Sequence, residues 1–192
     1  MQDFKENPLK AKKYYKQQLK ESFNLNKNFK DNFLLSITSE FSDKCKGGHI
    51  LQALKGILEV GINIIIRGKG TQKYQTYIED LQTQYPNNLF IIEDTKENII
   101  KMYEASDANI FLNKEDLSEE LKFCMERACI PISISFKGLS DFNAIKEEGN
   151  AFIIKKISSW FVFEAVVRAK ENYNFPYDWK NIQKACVAFI DK

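Results

Sequence analysis

One histidine, His49, and four cysteines at positions 45, 124, 129 and 186 are the only nitrogen and sulfur metal ligands of these types in the chain. No two cysteines form a C-x-x-C pair, which argues against a zinc site. No apolar run approaches the roughly 20 residues of a membrane-spanning helix. Charge of one sign is lacking too. The 28 basic and 26 acidic residues leave a net +2, so no global attraction to nucleic acid or an acidic membrane surface is expected. The N-terminus shows no apolar secretory segment, and Asp3, Glu6 and Glu21 among its lysines argue against a cleaved transit peptide. Cys124, Cys129 and Cys186 lie in helical or helix-end surroundings and read as reduced structural thiols. That suits an intracellular compartment, the cytoplasm ahead of an organelle such as the mitochondrion.

What is present is a core. A hydrophobic fraction of 44% with 15 Phe over 192 residues fits one globular domain. Residues 8–22 read as an amphipathic helix with Pro8 in its first turn, followed by a polar loop. Residues 1–30 are therefore expected to form a helix and linker, and 31–192 the domain proper. Six short apolar runs, at 33–38, 62–67, 89–92, 109–112, 130–134 and 151–154, alternate with helical stretches at 49–60, 71–84, 96–105, 118–128 and 140–147. Two more helices, at 158–172 and 178–190, flank Pro176. Strands alternating with helices imply an α/β fold: a single doubly wound parallel sheet of about six strands, with right-handed crossovers. Ligands of such sheets bind outside the carboxyl ends of the strands. The loops at 39–48, 67–71, 93–95, 113–118 and 135–140 should then share one rim.

The rim holds several candidates. Gly68-Lys69-Gly70 follows a strand and opens a helix; it is either a tight turn or a backbone cradle for phosphate, and lacks the third glycine of a dinucleotide fingerprint. Lys44 and Lys46, just before Gly47-Gly48, are either solvated or poised to neutralise a diphosphate leaving group. His49 has no identifiable carboxylate partner for general-base work. Glu115, Asp116, Glu119 and Glu120 could hold sugar hydroxyls or complement a helix dipole, and their charge would repel phosphate at that helix end. Gly138-Leu139-Ser140-Asp141 is another glycine turn with backbone N–H groups to offer.

Together these segments resemble the C-terminal Rossmann-like domain of the glycogen and starch synthases, retaining glucosyltransferases of the GT-B architecture. The stretch at 10–25 resembles the basic helix joining that family's two domains. Residues 62–89 resemble its strand, G-x-G turn and helix ending in Tyr-Pro. Residues 99–121 resemble the "Y-A-x-A-D" helix end, strand and donor-site glutamate. Residues 130–143 resemble "P-I-V…T-G-G-L-x-D", and 149–152 resemble "G-T-G-F". Trp179 falls on a segment like the family's final helices.

The resemblance implies a donor site at a cleft between two domains, where an Arg and a Lys of "G-R-L-x-x-Q-K-G" neutralise the diphosphate and a Glu of "E-P-C-G-L" meets the sugar. Lys46-Gly47 matches the K-G, but the arginine's place holds Phe41. Loss of a comparable electrostatic group costs about 3–4 kcal/mol of transition-state stabilisation. Glu115 matches the glutamate, but Asp116, Leu117 and Ser118 follow it where Pro-Cys-Gly is expected; Gly138, Leu139 and Asp141 match the glycine motif, with Lys137 replacing its first glycine. The chain begins at the interdomain helix, so the domain forming the cleft's other wall is expected to be missing.

The expectation is thus a non-catalytic synthase-like domain that serves as a structural or accessory subunit. Lys46 and Glu115 would be vestigial, Gly68, Gly70, Gly138 and Leu139 a vestigial nucleotide-sugar rim, and no metal or cofactor is expected. Its partners would be other protein subunits, met through aromatics such as Tyr14, Tyr15, Phe161 and Phe163, with a nucleotide sugar doubtful. The alternatives are half of a split glucosyltransferase using ADP- or UDP-glucose, or a module that binds a nucleotide sugar or glycan without chemistry.

Overall fold

The computed structural model describes residues 3–23, 25, 32–39, 41, 46–67, 70–113 and 119–189. Six parallel strands form its sheet: β1 (Leu34–Ile37), β2 (Asn63–Arg67), β3 (Leu89–Ile92), β4 (Ala108–Phe111), β5 (Ile130–Ser133) and β6 (Phe152–Ile153), in the order β3-β2-β1-β4-β5-β6. Register is set by pairs such as Leu35 with Ile64 and Ser36 with Asn109. β1, β4 and β5 are buried at every position, as expected of strands covered by helices on both faces.

Local chemistry starts and stops the helices. In α1 (Pro8–Ser22) the proline occupies the first turn and the Asn7 side chain accepts a hydrogen bond from the Lys10 N–H. Thr95 and Ser158 do the same for α4 (Lys96–Ala105) and α6 (Ser159–Tyr173). Gly61, at φ 78°, ends α2 (Gly47–Glu59) in the left-handed region that glycine enters without a Cβ penalty. The remaining helices are α3 (Gln72–Gln84), α5 (Glu119–Glu126) and α7 (Pro176–Phe189). Right-handed crossovers put α2, which packs on α6, on one face of the sheet. On the other, α1 packs against α4 and α7, and α7 against α5.

Two expectations need correction. Residues 140–147 form no helix: Asn143 Oδ1 accepts from the N–H groups of Ile145 and Lys146, and the chain folds back so that Asn143 bridges Glu148 and Asp141 bridges Ala151. A side chain that bonds its own neighbouring backbone competes with the helix ladder. Pro176 does not stand between helices but opens α7.

At the amino ends of β1 and β4 lies a buried polar knot. Lys16 Nζ is 2.6 Å from Asp107 Oδ2, which also accepts from the Leu34 N–H at 2.7 Å. Lys16 further donates to the Asn32 carbonyl and the Tyr173 hydroxyl. α1 is thereby pinned to the sheet by charge as well as by Ala11 and Leu19. Trp179 of α7 is fully buried between Phe33, Phe152 and Tyr173. Cys124, Cys129 and Cys186 are free and buried. Among the described residues, no helix is long and apolar enough to cross a membrane.

Candidate functional site

The strand order reverses between β1 and β4, so their carboxyl ends diverge and leave the crevice where a doubly wound sheet takes its ligand. A chain of polar side chains runs up to it. Ser36 Oγ lies 2.8 Å from Asn109 Oδ1, Asn109 donates to Thr38 Oγ1 at 3.3 Å, and the Tyr103 hydroxyl reaches the same oxygen at 3.4 Å. All four residues are buried. Burial holds the Tyr103 phenol far above its ordinary pKa, so it stays protonated.

At the mouth of the crevice stands Arg67, the last residue of β2. Its Nη2 donates to the Thr38 carbonyl at 3.0 Å, its Nη1 to Glu120 Oε1 at 2.9 Å, and its Nε lies 3.5 Å from Asp94 Oδ1. One guanidinium therefore ties together the segments that follow β1 and β3 and the first turn of α5. Sequence reasoning took Arg67 only as a strand end. The available signal was a single cation closing a strand otherwise without charge, immediately before a glycine turn.

Lys46 sits at the N-terminal boundary of α2, exposed, and its side chain caps nothing. Gly47, which follows it, is buried. Gly70 lies on the adjacent turn and bridges Phe41 in parallel fashion, with the Thr71 N–H bonded to the Phe41 carbonyl at 3.0 Å. Phe41, in the place of the arginine that the resemblance implies, is 1% exposed and belongs to the core. It lines a recess of about 220 Å³ with Ile66, Gly70, Tyr74, Ile78 and Ile91. That is smaller than the ~300 Å³ lower end of ordinary ligand pockets. A larger groove, about 550 Å³, runs between α2 and α3 along Gly48, Leu51, Tyr74 and Tyr77.

Across the crevice, Gly138 follows β5 at φ 89°, and a Cβ on it would stand 2.2 Å from the Phe189 ring. Its carbonyl accepts from Asn150, and half-buried Leu139 donates to the Phe136 carbonyl. Asp141 accepts from the Ile153 N–H at 2.7 Å, and Arg168 Nη1 lies 3.1 Å from both of its carboxylate oxygens. These contacts account for the glycine and aspartate of this turn by packing and by closure of the β6 edge. Lys46 and Gly70 thus share one side of the crevice, and Gly138 and Leu139 lie on the other. Gly68 and Glu115 lie outside the described residues, as do Lys44, Cys45 and Asp116. Of the aromatics named as partner anchors, Tyr14 is exposed, whereas Tyr15, Phe161 and Phe163 pack partly against the core. Trp160 at the start of α6 is exposed at 68%. Among the described residues there is no cluster of side chains able to hold a metal ion.

No family model matches the chain. Its curated relatives are glycogen synthases. That of Oceanobacillus iheyensis is 26% identical over 175 residues, covering 85% of this chain and 37% of the relative. That of Thermodesulfovibrio yellowstonii is 28% identical over 183 residues, covering 88% and 36%. The chain therefore spans little more than a third of the relatives it matches. Among solved structures, the catalytic domain of starch synthase IV from Arabidopsis thaliana, bound to ADP and acarbose, superposes with a TM-score of 0.74 at 16% identity, over 92% of this chain and 38% of that one. The C-terminal domain of a glycosyl transferase group 1 family protein from Francisella tularensis superposes at 0.68 and 14% identity, over 92% and 91%. In sequence and fold the chain is similar to the C-terminal, GT-B-type domain of the glycogen and starch synthases.

Proposed function

We propose that this glycogen-synthase-like glycosyltransferase domain is non-catalytic and acts as a structural or accessory subunit of a larger protein assembly. Phe41 carries this reading. The position where the resemblance calls for a diphosphate-neutralising arginine holds an apolar side chain sunk in the core, its carbonyl bonded to Thr71. Arg67, a cation at the mouth of the crevice, is engaged by Glu120, Asp94 and the Thr38 carbonyl. Groups whose charge or dipole is aimed at developing charge commonly supply the greater part of such catalysis. A glucosyl-transfer assay with ADP-glucose and UDP-glucose on a glycan acceptor tests the reading. No transfer is expected, together with co-purification at fixed stoichiometry with other subunits. Transfer by the purified chain ends it.

A second reading, half of a split retaining glucosyltransferase, is favoured by Lys46, which stays exposed beside a buried Gly47 as the K-G of the resemblance requires. Calorimetry with ADP and UDP distinguishes it: micromolar binding abolished by Lys46→Ala and by Glu115→Ala supports the split enzyme.

A further inference from the structure

The crevice between β1 and β4 is bridged from within. Arg67 reaches across it from the end of β2 to Glu120 in the first turn of α5, over 2.9 Å. The Arg67, Glu120 and Asp94 side chains are only 19%, 25% and 18% exposed, so salt and water weaken the attraction less than at an open surface. The guanidinium is also held in place, because the Thr38 carbonyl fixes its other edge. Thr38 is itself steadied by Tyr103 and Asn109 below. A first helical turn and an arginine are together what an anionic ligand seeks: backbone N–H groups at a positive dipole end and a charged fork. Here Glu119 and Glu120 already supply negative charge to that turn, and Glu120 also takes one arm of the fork.

We propose that the Arg67–Glu120 pair is an autoinhibitory contact. The Glu120 carboxylate stands on Arg67 in the place that a phosphate of a nucleotide diphosphate would take at this crevice. An anion reaches this edge of Arg67 only by displacing it. The proposal deepens the non-catalytic reading above and rests on it: beyond the missing arginine at Phe41, the Arg67 guanidinium is neutralised by the chain itself.

The test is titration calorimetry of the full chain with inorganic pyrophosphate and with ADP at low salt. Glu120→Gln keeps the shape of the side chain and its hydrogen bond while removing the charge. It is expected to bind pyrophosphate about tenfold tighter than the parent, the scale of one charge-assisted hydrogen bond. The gain should vanish in the double variant Glu120→Gln/Arg67→Gln. Asp94→Asn, with its longer 3.5 Å contact, should give a smaller gain in the same direction and serves should Glu120→Gln not fold. A ratio of Glu120→Gln to parent below about threefold overturns the proposal, as does a gain that survives loss of Arg67. The variant-to-parent ratio judges the clasp alone. Glucosyl transfer by the parent judges the non-catalytic reading alone, so either can fail without the other.

Discussion

Gly70 lies flush against Phe41: a Cβ on it would stand 2.8 Å from the Phe41 carbonyl oxygen and 3.0 Å from the Phe41 Cβ. The two turns that border the crevice after β1 and β2 are thus locked backbone to backbone. The glycine is accounted for by this contact without any ligand.

Gly70→Ala should therefore destabilise the fold by about 1–3 kcal/mol, the scale of an overpacked contact, because backbone rather than a yielding side chain must shift. Gly61→Ala provides the contrast. Nothing lies within 4 Å of its Cβ position, and only the left-handed backbone at φ 78° is penalised, by about 1 kcal/mol. Urea denaturation of both variants measures the difference.

Gly138→Ala meets both obstacles, a φ of 89° and the Phe189 ring at 2.2 Å. The ring is the far end of a side chain on α7 and can be removed separately. In a double-mutant cycle, Phe189→Ala is expected to recover part of the Gly138→Ala loss, so the two effects will not add. The backbone strain of about 1–2 kcal/mol should persist in the double variant.

Lys16→Met leaves the Asp107 carboxylate buried without its cation. A loss of about 3 kcal/mol is expected, with Lys16→Met/Asp107→Asn more stable than Lys16→Met alone. Burial by itself would lower the Lys16 pKa, but the Asp107 carboxylate and the Tyr173 hydroxyl overcome it and hold the ammonium above its ordinary range. With the folded value raised, the stabilisation is complete below the usual lysine value of 10.5 and fades as pH rises through the raised value. The stability gap between parent and Lys16→Met should thus narrow as pH rises above about 10, which chemical denaturation across that range will read.

Lys46 places a cation at the N-terminus of α2, where the helix dipole disfavours it. Lys46→Asp is expected to raise stability by about 0.3–1 kcal/mol, less at high salt. A thermal melt showing destabilisation would mean that Lys46 makes a compensating contact in solution.

Cys124 and Cys186 are fully buried, and burial pushes both thiols well above their usual pKa. Cys129 is buried beside them. Under native conditions a thiol reagent such as DTNB should leave all three unmodified and react with them only on unfolding. Peptide mapping of the labelled chain assigns each site.

Much of the fold was legible because its signals are local and repeated. INIIIR, NIFL and IPISI are too short and too continuously apolar for surface helices, and Gly61 and Pro8 mark helix ends by their own backbone limits. Residues 140–147 misled because a glycine turn with an acidic residue looks like a helix start, whereas Asn143 commits its side chain to a tight turn. Lys12 and Lys16 gave no local signal of their burial. A lysine on an amphipathic helix reads as solvated, yet both are 3% exposed, held by the Tyr103 carbonyl and by Asp107.

The alternation of strands and helices, and with it the parallel sheet and the rim at its carboxyl ends, follows from the order of residues alone, because apolar periodicity and backbone-limited residues act over a few neighbours. It took the folded arrangement to reveal that Phe41 is sunk into the core against Gly70, that Asp107 is matched by Lys16, and that Arg67 is occupied by Glu120, 53 residues further along the chain. The reason is that a side chain's charge has no fixed meaning until its partner is known. Whether a rim cation waits for a ligand or is already neutralised depends on which groups the fold brings within hydrogen-bonding reach of it.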